Sequence, residues 1–159
     1  MAEFTRYEIF ILLNQSKPLW LSHIDLSGMD LRGIDLSRAV MHGANLVGAD
    51  LRGAMMADAN LGGCNLENAI LIGADMRRAK MRGTRLKGAN LREANMAEAD
   101  LSEADLSGCN LALTNLGGVD LTNATLTDAN MTDANVPEYK LERARSLSGT
   151  VMPDGTIHE

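Results

Sequence analysis

A period of five residues runs without a break from Ile24 to Glu138. Neither a strand, which alternates every two residues, nor a helix, which turns every 3.6 or so, can carry it. Read in fives from Leu26, the central column has 23 positions, of which 16 are Leu, six Met and one Val. Two residues earlier, the column opens Ile24, Met29 and Ile34 and then becomes mostly Ala, in 15 of 23 positions, with Cys64, Thr84, Cys109, Thr114 and Val119 among the exceptions. The residue just before each centre is Asp or Asn in 17 of 23 cases, and the residue two after it is Gly in 11.

These columns constrain the backbone. Positions two apart on an extended chain point the same way, so the Ala and Leu of each repeat face inward together. The next two residues must turn the chain before the following Ala can point inward again, a step that Gly favours because it tolerates positive φ. One corner per five residues closes a polygonal coil filled by small and medium aliphatic side chains. Aromatic residues are only 3% of the chain, which fits such an interior.

Runs such as Ala44-Asn45-Leu46-Val47-Gly48, Ala49-Asp50-Leu51-Arg52-Gly53 and Ala104-Asp105-Leu106-Ser107-Gly108 resemble the A-(D/N)-L-x-x signature of the pentapeptide-repeat family. The likeness covers 115 of 159 residues as 23 tandem copies. It implies an all-β solenoid, a right-handed quadrilateral β-helix with four repeats per coil and nearly six coils, about 27 Å long at strand spacing. Long single-domain chains of this kind are similar to family members abundant in cyanobacteria. Four repeats per coil would stack residues 20 apart in one column. Leu26, Leu46, Leu66, Leu86, Leu106 and Leu126 should then form one buried file.

Both ends of such a rod need covering. Thr5-Arg6-Tyr7-Glu8 reads as a capping box, with Phe4 and Ile9 placed for a hydrophobic staple. A helix over residues 6–15 should follow and stop before Pro18. Pro137 should open a second helix, with Glu138 early and Arg143 and Arg145 late, as the helix dipole favours. The expected organisation is an N-terminal helical cap over 1–23, the solenoid over 24–138, and a C-terminal helix and tail over 139–159. Pro153-Asp154-Gly155 reads as a turn. The apolar run Ile9–Leu13 is too short and too charged at its flanks for a signal peptide or membrane span, so a cytoplasmic monomer without membrane contact is expected.

The surface is banded. Arg77, Arg78, Lys80, Arg82, Arg85, Lys87 and Arg92 fall within almost one coil and form a basic belt, and from Glu93 to Tyr139 there are nine acids and no base. Pairing between coils, for instance Arg78 with Glu98, would make the belt a solubilising feature. The Asp and Asn before each centre should hydrogen-bond the backbone at corners rather than form a binding surface. Ile70 and Ile72 break the polar habit of the outward positions, and their column neighbours include Arg52 and Arg92, which suits a small protein contact.

Nothing in the chain reads as catalytic. His23, His42 and His158 have no partners arranged for chemistry. Cys64 and Cys109 take the small inward position, with no disulfide or metal spacing. No cofactor is expected. The sequence favours a non-enzymatic scaffold that offers rigid flat faces to a protein partner, with Arg52, Ile70, Ile72 and Arg92 as candidate contacts. The resemblance supplies an alternative, a DNA-mimicking inhibitor of DNA gyrase. Against it, the belt interrupts the acidic strip, and only Tyr139 remains of the aromatic C-terminal segment that joins such dimers. Weak nucleic-acid binding through the belt is a third reading, disfavoured because no aromatics interleave the bases and because the chain's net charge is -6.

Overall fold

The computed structural model describes residues 17–159. The helix expected over residues 6–15, with its capping box and staple, lies outside the described residues. Over the rest of the solenoid, isolated parallel bridges join residues 20 apart, from Trp20 with Val40 to Asn115 with Asn135. Four repeats therefore close each coil of a right-handed quadrilateral β-helix. Leu46, Leu66, Leu86, Leu106 and Leu126 are fully buried and Leu26 nearly so, as are Met56, Met76 and Met96.

Each face is too short for a strand, and the backbone hydrogen bonds show why five residues suffice. The N–H of the centre donates to the next coil, as Leu26 does to the Asn45 carbonyl at 2.8 Å, and the N–H two residues later does the same, Gly28 to Val47 at 2.8 Å. The residue before the centre donates to the coil below, Asn45 to Ile24 at 2.9 Å, and the inward small residue closes the turn, Ala49 to the Leu46 carbonyl at 3.0 Å. The N–H just after the centre has no backbone acceptor left. The Asp or Asn side chain takes it: Asp25 Oδ1 accepts from Ser27 at 3.0 Å, and Asn65 Oδ1 from Glu67 at 3.1 Å. The corner carboxylates and amides thus complete the pairing of the backbone, as the sequence implied.

Every corner from His23 to Asp133 holds its second turn residue at a φ between 56° and 74°. The residue before it is not among the positive-φ positions, so each corner turns on a single left-handed residue. At Gly88 the need for glycine is double: φ is +69°, and a Cβ there would sit 2.6 Å from Asn68 Oδ1. Inside, Cys64, Thr84 and Cys109 replace Ala and donate to the Met41, Leu61 and Leu86 carbonyls of the coil below, each at 2.9 Å. Polar atoms in the core therefore keep partners.

The ends differ from expectation in three ways. The coil begins one repeat earlier than Ile24. Leu19 and Leu21 are buried in inward positions, His23 has φ 59°, and Ile24 closes a turn to the Leu21 carbonyl. The C-terminal helix, α1, is one turn, Glu138–Leu141, and Arg143 and Arg145 lie beyond it. Both are backbone partners of the coil beneath instead: the Arg143 carbonyl accepts from Asn123, and the Arg145 N–H donates to Ala124. Lastly, the segment after α1 is no tail. The spacing of bridges becomes 21 rather than 20, Thr125 with Ser146 and Asn130 with Val151. Leu147 and Met152 pack on the core as the next centres. One inserted residue hides this continuation from a strict count of five. A turn at Pro153–Gly155 then brings Ile157 back antiparallel to Val151, so a hairpin, not a helix, closes this edge.

Candidate functional site

The face that carries Ile70 and Ile72 is built from stacked repeats. Asp30 and Arg32, Asp50 and Arg52, Ile70 and Ile72, then Asn90 and Arg92 follow one another up the rod at 20-residue spacing. Stacking therefore places Ile72 between Arg52 and Arg92 in its column, and Ile70 between Asp50 and Asn90. Both isoleucines are half-buried rather than fully projecting.

The arginines on this face are already oriented. Arg52 grips its own repeat's Asp50 through two bonds, Nε to Oδ1 at 2.9 Å and Nη2 to Oδ2 at 2.5 Å. The hydrogen bond from Arg52 holds the Asp50 carboxyl below its ordinary value, with the Arg32 charge adding to the effect. Arg92 points to Glu93 at 2.8 Å. Each guanidinium keeps about half of its side chain exposed, at 48% and 46%, with donors left over for another acceptor.

Ile70 has a second effect on its repeat, which sequence reasoning missed. It stands where Asp or Asn would accept the N–H two residues on. Among the described residues no acceptor takes the Ile72 N–H, whereas Arg52 and Arg92 on either side have theirs, from Asp50 at 3.3 Å and Asn90 at 3.2 Å. The same replacement occurs at Val40, Met55, Lys80, Arg85 and Thr125. Only at Ile70 and Ile72, among the described repeats, are both outward residues of a repeat large aliphatics.

The basic belt is present but largely neutralised. Arg77 is bidentate to Asp75, and Arg78 to Asp58, with bonds of 2.7–2.9 Å. Arg82 reaches Glu103 at 2.7 Å, and Arg85 lies 3.8 Å from Glu67. The expected partner of Arg78, Glu98, contributes only to its electrostatic surroundings, because Asp58 in the coil below offers both oxygens. Lys80 and Lys87 are exposed and form no ion pair among the described residues. These pairs are exposed, so each adds little to stability, but together they remove most of the belt's free positive charge.

Other residues that could suggest chemistry are spent on structure. The His23 and His42 rings meet edge to face, 5.7 Å apart. Burial pushes the Cys64 thiol up to about 11 and the Cys109 thiol to about 12, so neither is activated as a nucleophile. Among the described residues no group of three or more His, Cys, Asp and Glu is placed to hold a metal, and no helix is long and apolar enough to cross a membrane. Trp20, 74% exposed, was not singled out from the sequence. Its position before the centre Leu21 was the signal, had the column been extended one repeat back.

A family model described as pentapeptide repeats matches the chain in eight copies, within residues 21–56, 59–96, 77–112 and 99–136. A solved pentapeptide repeat protein from the cyanobacterium Cyanothece 51142 is 30% identical over 67% of this chain and 62% of its own, with a TM-score of 0.48. The chain thus spans less than two thirds of that relative's length. A pentapeptide repeat protein from the Arabidopsis thaliana thylakoid lumen is 28% identical over 84% of this chain and 71% of its own, with a TM-score of 0.45. One from Nostoc PCC 7120 is 34% identical over 60% and 69%, with a TM-score of 0.39. No curated protein matches.

Proposed function

The chain belongs to the pentapeptide-repeat family, and from that premise we propose that it is a non-enzymatic interaction module whose protein partner docks on the face of Arg52, Ile70, Ile72 and Arg92. The observation that carries this reading is the Ile70–Ile72 repeat. It replaces a residue that would complete the backbone hydrogen bonding with an aliphatic one, and so forgoes a bond that its neighbours above and below keep. A partner that covers the two side chains recovers apolar burial there. A backbone carbonyl or side-chain oxygen from the same partner can take the free Ile72 N–H. The remaining donors of Arg52 and Arg92 fix orientation at the rim. The rigid frame adds little ordering cost on binding.

Nucleic acid is the weaker fit. Phosphate binding relies on cations free to replace counterions, and the belt's arginines are engaged by carboxylates. The test is affinity recovery from the source cell with the native protein and with Ile70→Asn combined with Ile72→Ser. Recovery of a partner by the native protein, and its loss from a double variant that stays folded with a melting temperature lower by only about 2–4 °C, supports the face. Equal recovery by both would refute it.

A further inference from the structure

The last coil is finished on three sides and open on the fourth. α1, the Ser146 segment and the Val151 segment stack in turn on the coil below and bring Leu141, Leu147 and Met152 over the core. The repeat that should cover Val136 never forms. Gly155, at φ 83°, reverses the chain, and Ile157 lies on Val151 with 68% of its surface exposed. What remains is an open pocket of about 530 Å³ with Val136, Leu141, Met152 and Ile157 as apolar wall, and Glu138, Asp154 and Glu159 among its polar lining. Its volume lies in the range of about 300–1,000 Å³ typical of ligand clefts.

The polar lining is acidic, with His158 its one basic member. Asp154 is held in place by the Thr156 hydroxyl at 2.6 Å and the Thr156 N–H at 2.9 Å. These bonds, the hydroxyl's first, keep its carboxyl below the ordinary value and so ionised. Lys140 does not line the pocket; it sits over the Tyr139 ring, 5.7 Å from its centroid.

We propose that this end pocket is a second docking site, independent of the isoleucine face, and that its occupant is a segment of another protein that inserts an aliphatic side chain flanked by basic residues. The apolar wall calls for the side chain that the missing repeat would have supplied. The acidic rim calls for the flanking cations. The same rim disfavours a second copy of this chain, since end-to-end contact would set Glu138, Asp154 and Glu159 against their own images.

The probe is the peptide acetyl-Lys-Leu-Lys-amide, with acetyl-Glu-Leu-Glu-amide as its counterpart, each titrated into methyl-labelled full-length protein and followed by NMR. The basic peptide is expected to shift the methyl signals of Val136, Leu141, Met152 and Ile157 and leave those of the mid-rod core in place. Glu138→Lys combined with Glu159→Lys, which leaves the Asp154–Thr156 bonds of the turn intact, should weaken that binding roughly fivefold to tenfold, the effect of two exposed charge pairs. Both side chains are exposed, so the remaining spectrum should not change. Shifts of equal size with the acidic peptide, shifts spread along the rod, or none at all would overturn the proposal. So would the same methyls shifting as protein concentration rises together with sedimentation of a dimer, which would make the occupant a second copy.

Discussion

Replacing Ile70 by Asn, and separately by Ala, isolates the bond that this repeat lacks. Both variants lose the apolar contact of a half-buried isoleucine, about 1 kcal/mol of the roughly 1.5–3 kcal/mol for full burial. Only Asn regains an acceptor for the Ile72 N–H, in the geometry that Asn65 uses for Glu67 at 3.1 Å and Asn90 for Arg92 at 3.2 Å. A net intramolecular hydrogen bond contributes about 0.5–1.5 kcal/mol. Ile70→Asn should therefore leave the protein close to native stability, and Ile70→Ala should be about 1 kcal/mol worse, a gap of about 2–4 °C in melting temperature at this chain length. The sign matters more than the size, because Asn is among the residues least suited to extended structure and propensity alone ranks the two the other way. Urea denaturation of the native protein and both variants reads the difference directly. An Asn variant no more stable than the Ala variant would show that the corner side chains do not serve the backbone as described.

Leu66→Ala, at a fully buried centre, should cost about 2–5 kcal/mol in a denaturant titration through the cavity left between filled coils. The carboxyl of Asp35 is pulled to about 2, chiefly by its hydrogen bond from the Lys17 ammonium, and Asp50, Asp58 and Asp75 are lowered by their arginines. Because the folded values lie below the unfolded ones, this stability is complete above about pH 4 and drains away as pH falls toward about 2; a melting temperature that does not fall across that window would contradict the pairing. Cys64 and Cys109 should resist a thiol reagent at about pH 8 in the native protein and react at once after denaturation, since only the thiolate attacks; fast labelling of native protein would mean the core opens. Supercoiling by DNA gyrase should be unaffected by a large excess of the protein, and potent inhibition would reverse the ranking of functions.

The repeat core was readable because its inward positions are fixed by arithmetic. Any coil that closes in 20 residues must align Leu26 with Leu46 and Leu66, whatever the side chains outside do. The arithmetic failed where its premise failed. Leu141, at the end of α1, still lies five residues after Val136, but one extra residue enters between it and Leu147, and the period resumes at Leu147 and Met152 out of phase with the earlier column. Ion pairs were beyond reach for a different reason. An arginine at a corner can reach down a coil, up a coil or along its own, and the structure contains all three: Arg78 to Asp58, Arg82 to Glu103, Arg77 to Asp75. The isoleucine face was visible as a departure from pattern. That Ile70 also strands the Ile72 N–H required knowing where each backbone donor goes.

The corners carry a further consequence for how the rod comes apart. Left-handed backbone costs an ordinary L-residue about 1–2 kcal/mol, and Gly, with Asn and Asp to a lesser degree, escapes most of it. From Gly28 to Gly88 the exceptions to this group are Arg38 and Arg78 alone, whereas Glu93, Glu98, Glu103 and Leu113 hold φ of 60–62° at four of five successive corners. Conformational stress is thus gathered in a single stretch just past the middle. In a stack where each coil touches only its neighbours, thermal opening should begin at that stretch, dividing the rod into two shorter lengths before either end unwinds.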